Sequence, residues 1–167
     1  MLESGAKVFY PLQGAGCVSS VETQQFMGCP REYYTIHLQL NSLIAYVPTD
    51  NAEKMGLRRL ASPDQLEEAR KLFFSKSVKM PDNNTDRKLL LKKKLNAGRI
   101  SDLYQIIRDV SCCKAHGIRV NSDDKYIMEQ TILLLESELM LIKKVTAEEA
   151  GLLVREDIRQ REAALAD

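Results

Sequence analysis

The chain has no tryptophan, only four cysteines, and aromatic residues at 6% of its 167 positions. It also lacks a run of the roughly eighteen consecutive apolar residues that a membrane span requires. Its first residues, MLESGAK, do not have the basic-then-apolar order of a secretory leader, so a cytosolic location with no membrane partner is expected. Cys17, Cys29, Cys112 and Cys113 form no Cys-x-x-Cys pair, which removes the zinc ribbon and the redox dithiol from consideration. Cys112 and His116 lie four residues apart and share a helical face, but two ligands do not close a tetrahedral metal site. Packed, reduced thiols are the expected state, with no metal and no cofactor. Neither His37 nor His116 has a serine or cysteine nucleophile placed beside it by any motif, so no enzyme is indicated.

A charge of one sign is also missing, since the formal net charge is only +1. That near-balance conceals a gradient. Residues Met1–Leu66 carry 5 basic and 6 acidic side chains, Glu67–Lys125 carry 14 and 8, and Tyr126–Asp167 carry 5 and 9. Only the middle stretch is attractive to a polyanion.

Glycine is sparse, and Gly14-Ala15-Gly16 in VFYPLQGAGCV therefore draws notice. A phosphate cradle needs a strand, a glycine turn and then a helix whose first amides face the anion. The residues after Gly16 are CVSSVETQQF, rich in β-branched side chains, with no Gly-Lys-Ser/Thr. The pair of glycines instead marks a strand-to-strand turn.

Two textures divide the chain. From Lys7 to about Leu60 the pattern is β, clearest where Tyr34-Ile36-Leu38 alternates with Thr35-His37-Gln39. Several short strands within about sixty residues suggest a small antiparallel barrel. At Ser62-Pro63-Asp64-Gln65 the texture turns helical, with a hydroxyl N-cap, a proline at the first helical position and a capping-box Gln. This helix is expected to run to about Phe74, and the polar KSVKMPDNN after it reads as a linker with a hinge at Pro81. Four more helices complete the chain. Asn84 opens the first and Gly98 closes it; Ser101 opens the second and Gly117 closes it. Ser122 opens a long third helix through Lys144, and Thr146-Ala147-Glu148-Glu149 opens the last. The fold class is thus α+β: a β module over 1–61, a connecting helix and hinge over 62–82, and a helical bundle over 83–167.

The run GAKVFYPLQGAGCVSSVE, then EYYTI, then VPTDNAEKMGLRRL, resembles the N-terminal module of the CarD-like (CdnL) bacterial transcription regulators. LNAGRISDLYQIIRDV and SDDKYIMEQTILLLESEL resemble that family's second half. The resemblance implies a Tudor-like barrel that docks on the RNA polymerase β subunit and a helical domain that touches promoter DNA at the upstream edge of the transcription bubble. Docking would be β-augmentation, with an exposed edge strand pairing with the partner. The family's two basic docking positions fall on Gln24 and Tyr46, neither an arginine, and Ile44 and Val47 flank Tyr46 on the same segment. The family's minor-groove tryptophan falls on Asn84, which cannot unstack a base step but can hydrogen-bond a groove edge or cap a helix.

What remains for DNA is charge: Arg87, Lys88, Lys92 and, at a DNA-contacting lysine position of the family, Lys125. Lys94 falls between Leu90 and Leu91 on a helical wheel and is expected to snorkel. Such contacts give weak, sequence-independent and salt-sensitive affinity. The expected function is a non-enzymatic, polymerase-tethered regulator of open-complex stability, associated with the nucleoid through the polymerase. The alternative is a protein-only interaction module with no DNA contact. Exchange of the barrel between subunits through a hinge would give a domain-swapped dimer.

Overall fold

The alternation at Tyr34-Ile36-Leu38 becomes the spine of an antiparallel sheet. A computed structural model describes residues 1–166. Its strands are β1 (Lys7–Tyr10), β2 (Gly14–Phe26), β3 (Cys29–Leu38), β4 (Ile44–Pro48) and β5 (Arg58–Arg59), in the spatial order β4-β3-β2-β1-β5. Val8, Val18, Tyr34, Ile36, Leu38 and Val47 point to one face and form the sheet's own core with Ala52 and Leu57. β2 is much longer than β1, so it pairs with β1 near its start and with β3 along the rest, and a bulge between Val18 and Ser20 resets its register. The α+β layout expected from the sequence is present, but the sheet is open. Among the described residues β4 and β5 are terminal strands that do not pair with each other.

Gly16 answers a close approach of backbones. A Cβ there would lie 2.4 Å from the carbonyl oxygen of His37 on the neighbouring strand. Gly14 has φ +96 and faces Ser137 across the seam between sheet and helices. The Gly-Ala-Gly stretch is therefore a strand turn and strand start, pressed against its neighbours.

Five helices follow: α1 (Pro63–Phe74), α2 (Asn84–Ala97), α3 (Ile100–Ser111), α4 (Ser122–Lys143) and α5 (Ala147–Ala166), of which α4 packs against the start of β2. The Ser62 hydroxyl accepts from the Gln65 amide while the Gln65 side chain accepts from the Ser62 amide, and Thr146 with Glu149 repeats that box. α4 is the central helix. Its Leu134, Leu135 and Leu139 are buried in a core shared with Phe9 and Ala15 of the sheet and with Leu103, Ile106 and Ile107 of α3.

Three local expectations are corrected. The caps of α2 and α4 sit one residue earlier than read: Asn83 Oδ1 accepts from the Asp86 amide, and Asn121 forms a capping box with Asp124. Adjacent polar residues have similar capping preference, so geometry chooses between them. α3 starts at Ile100 after an Arg99 cap that makes no side-chain bond, so Ser101 does not open it, and it stops at Ser111, with a separate 3-10 turn at Lys114–His116 before Gly117. Finally, the segment after α1 is packed and does not swing free between sheet and helices. Met80 is buried, the Val78 amide donates to Asp109 Oδ1, Ser77 Oγ lies 2.9 Å from His116 Nε2, and Arg108 donates to the Leu72 carbonyl. Because α1 itself packs on α3, the chain passes from sheet to helices at Leu60-Ala61-Ser62, well before Pro81. No helix among the described residues is long and apolar enough to cross a membrane.

Candidate functional site

Strand alternation sorts the residues of the sheet into two faces. Register pairs Gln24 with Arg31, Glu22 with Tyr33 and Thr35 with Tyr46, which places these side chains on the face opposite the core. Ile44, opposite His37, shares that outer face. Ile44 and Tyr46 are each 48% exposed. Phe26 stacks edge-on against Tyr33 with ring centroids 5.0 Å apart and lies 6.5 Å from Tyr46, so the outer face carries an aromatic cluster. β4 pairs only with β3, and its other edge carries no strand among the described residues. An unpaired row of backbone donors and acceptors beside exposed Ile and Tyr is the geometry that strand addition uses.

Val47 does not belong to this surface. It is fully buried in the sheet core, since it alternates with Tyr46, and the expected contact from its side chain is withdrawn.

A second surface forms where the start of α2 meets the start of α4. Asn84 and Lys125 line one shallow groove together with Arg119, Val120, Asn121 and Ser122. The structure thus brings Asn84 and Lys125 together from 41 positions apart and adds Arg119 between them. An adjoining groove is lined by Lys114, Arg119 and Lys125. Lys92, Lys93, Arg119 and Lys125 are exposed. Lys88 is half-buried and donates to Asp123 Oδ2 at 3.1 Å, so part of its charge is already answered.

Arg87 departs furthest from the expected DNA surface. Its side chain is 0% exposed, and it grips Asp124 with Nε and Nη2 while donating to the Pro81 and Asp82 carbonyls and to Asn84 Oδ1. The hydrogen bond to Asp124 holds the guanidinium pKa above its ordinary value. No donor remains for a phosphate, because every element around it supplies an acceptor. Asn84 is tied into this network through the same contact, and it occupies the first turn of α2 without capping it. Lys94 turns inward toward Gln105 and Asp109, in keeping with its place between two leucines.

Comparison with known families matches this division. Residues 2–61 match the model described as the CarD-like/TRCF RID domain, and residues 68–155, more than half of the chain, match that described as the CarD C-terminal domain. The chain belongs to the CarD-like family. A relative in Bacillus subtilis (strain 168), named "Putative transcription factor YdeB", is 24% identical over 153 residues, covering 87% of this chain and 95% of that protein. CarD-like membership carries a role in transcription regulation.

Several residues on or beside these two surfaces are not legible in the sequence. Tyr33 is outward by alternation with Tyr34-Ile36-Leu38, whereas Phe26 is legible as outward only once the register of β2 on β3 is known, because the bulge between Val18 and Ser20 shifts the alternation of β2. Arg31 donates to Asp50 Oδ1, and that hydrogen bond holds the Asp50 carboxyl pKa below its ordinary value. Arg119 lies in a connecting segment with no periodic signal, and nothing local sets it apart from other surface arginines. The two cysteines at the end of α3 are buried, and burial pushes the Cys113 thiol up to about 11, so it is an inert packed thiol at neutral pH.

Proposed function

We propose that this CarD-like chain docks on the RNA polymerase β subunit through the free edge and outer face of β4, and steadies the open promoter complex by placing the α2–α4 cations against upstream DNA. Residues 1–61 act as the docking module, 62–82 join it to the rest, and 83–167 face the DNA. The observation that carries this reading is the unpaired β4 edge, with Ile44 and Tyr46 half exposed on the outer face and the Phe26 ring 6.5 Å from that of Tyr46. Apolar and aromatic packing replaces a charged contact here, since neither Gln24 nor Tyr46 is cationic. On the DNA side Lys92, Lys125 and Asn84 remain from the sequence, with Lys88 contributing what Asp123 leaves free and Arg119 added by the fold. Few cations mean weak intrinsic affinity, and tethering to the polymerase compensates by raising the local concentration of the binder.

The test is retention of the full-length chain by an immobilised β-subunit lobe. Retention by the wild type, lost in Ile44→Glu/Tyr46→Glu with an unchanged melting profile, supports docking. No retention of the wild type counts decisively against it.

A protein-only module with no DNA contact is the second reading, favoured by the burial of Arg87 and the Lys88–Asp123 pair. Charge reversal at Lys92 and Lys125 separates the two. The DNA reading requires a shorter promoter-complex lifetime, and the protein-only reading requires none.

A further inference from the structure

We propose that Arg58 and Glu138 are positioning residues that hold the sheet and the helical layer at one relative orientation, so that a partner bound to the sheet dictates where the helical cations lie. The second half of this statement rests on the function proposed above; the first half stands on geometry alone.

Arg58 lies on β5, the short terminal strand, and reaches across the seam. Its Nη1 and Nη2 donate to Glu138 Oε1 and Oε2 on α4 at 2.7 and 2.9 Å, a parallel fork. Nε and Nη2 also donate to the Gly98 carbonyl at the end of α2, at 3.1 and 2.9 Å, and Nη1 donates to the Arg59 carbonyl. All the guanidinium N–H groups therefore have acceptors, and the flat face of the group lies over the Phe9 ring, 4.4 Å from its centroid. Glu138 is 0% exposed and uses Oε1 a second time to accept from the Ala61 amide. One ion pair thereby ties β1, β5, the β5–α1 connection, the end of α2 and the C-terminal third of α4.

A single strut would leave a pivot. A second stands next to it: Ser137 Oγ accepts from the Ala15 amide at 3.0 Å and donates to the Leu134 carbonyl. Neighbouring residues of α4 thus grip the sheet at two separate places, the start of β2 and β5, and two directional anchors fix a rotation as well as a distance.

Stability does not account for this arrangement. A buried ion pair gains little over apolar side chains of the same size, because its desolvation cancels most of the attraction. Phe9, Ala15 and Leu40 already supply non-directional burial at the seam. What apolar contact cannot supply is a planar fork that accepts only one approach angle.

The experiment measures the distance distribution between spin labels on the exposed native Cys29 and on a cysteine introduced by Lys93→Cys, in a Cys17→Ser background with the buried Cys112 and Cys113 left in place. Arg58→Met/Glu138→Met removes both charges together and leaves no orphan ion. The expected result is a folded protein whose distribution widens about twofold once the directional bonds are gone. Arg58→Lys, which keeps the charge but not the fork, should fall between the two. With polymerase, retention on the β lobe should be unchanged while promoter-complex lifetime falls by about threefold or more, since the tethered cations no longer stay in place. A distribution of wild-type width in the folded double variant overturns the proposal; if that variant does not fold, wild-type width in Arg58→Lys overturns it. Widening without any β-lobe retention, even by the wild type, supports the positioning role and defeats the proposed function instead.

Discussion

Arg87 sits in a basic segment that suggests a DNA surface and lies instead at the bottom of an ion pair, which makes its replacement the sharpest test of the structure. In Arg87→Met the Asp124 carboxylate, 1% exposed, keeps its bond from the Asn121 amide but loses both guanidinium contacts. The Pro81 and Asp82 carbonyls and Asn84 Oδ1 also lose their donor. Removing one partner of a buried pair costs about 3–5 kcal/mol. For a chain of this size 1 kcal/mol moves the melting temperature by about 2–4 °C, so a fall of about 6–20 °C is expected. Arg87→Met/Asp124→Asn should recover part of this loss, because no full charge is then left unpaired while the cap at Asn121 can still form. The assay is thermal unfolding monitored by circular dichroism, run beside Lys125→Ala, which touches no buried group and should shift melting by less than about 2 °C. In promoter-complex lifetimes measured against salt, Lys125→Ala should lower the slope by about one phosphate contact. Arg87→Met, studied at a temperature where it is folded, should leave the slope unchanged. A mild Arg87 variant, within about 1 kcal/mol of wild type, that reduces the salt slope as Lys125→Ala does would refute the buried reading.

Gly16→Ala places a Cβ 2.4 Å from the His37 carbonyl, so β2 and β3 must separate locally; a loss of about 1–3 kcal/mol in urea unfolding is expected, and an unchanged midpoint would sink the register. Glu136 is half-buried, and burial raises its carboxyl pKa against the opposing pull of Arg155. A raised carboxyl pKa means the folded state holds its proton more tightly, so its stabilising contribution is full below the unfolded pKa and is lost as pH rises through the folded one. Glu136→Gln should therefore be more stable than the wild type at neutral pH and level with it in acid; the opposite trend would contradict the assignment. In a charge-reversal pair, Lys92→Glu should shorten promoter-complex lifetime more than Lys88→Glu, because Asp123 already neutralises part of Lys88, and the reverse order would show that the pair opens in the complex.

The α+β division and the capping boxes at Ser62 and Thr146 are legible because each depends on residues within a turn or two along the chain. Alternation with the outward Tyr46 turns Val47 inward, against its expected place on the docking segment. The fate of the cations is not legible. Lys88 and Arg87 are adjacent and chemically alike, yet their acceptors, Asp123 and Asp124, arrive from a helix some 35 residues further on. Likewise Arg58 looks like any strand-end arginine until α4 brings Glu138 to it from 80 residues away.

The sequence by itself determined which segments become sheet and which become helices, because hydrophobic period, turn residues and caps act over a few bonds; the exact ends of α2, α3 and α4 it did not. Only the tertiary structure decided which edge is open, which arginines are buried and how the two layers are angled. Those outcomes depend on the charge and shape of groups that meet only after the chain has folded, and no local pattern encodes the meeting.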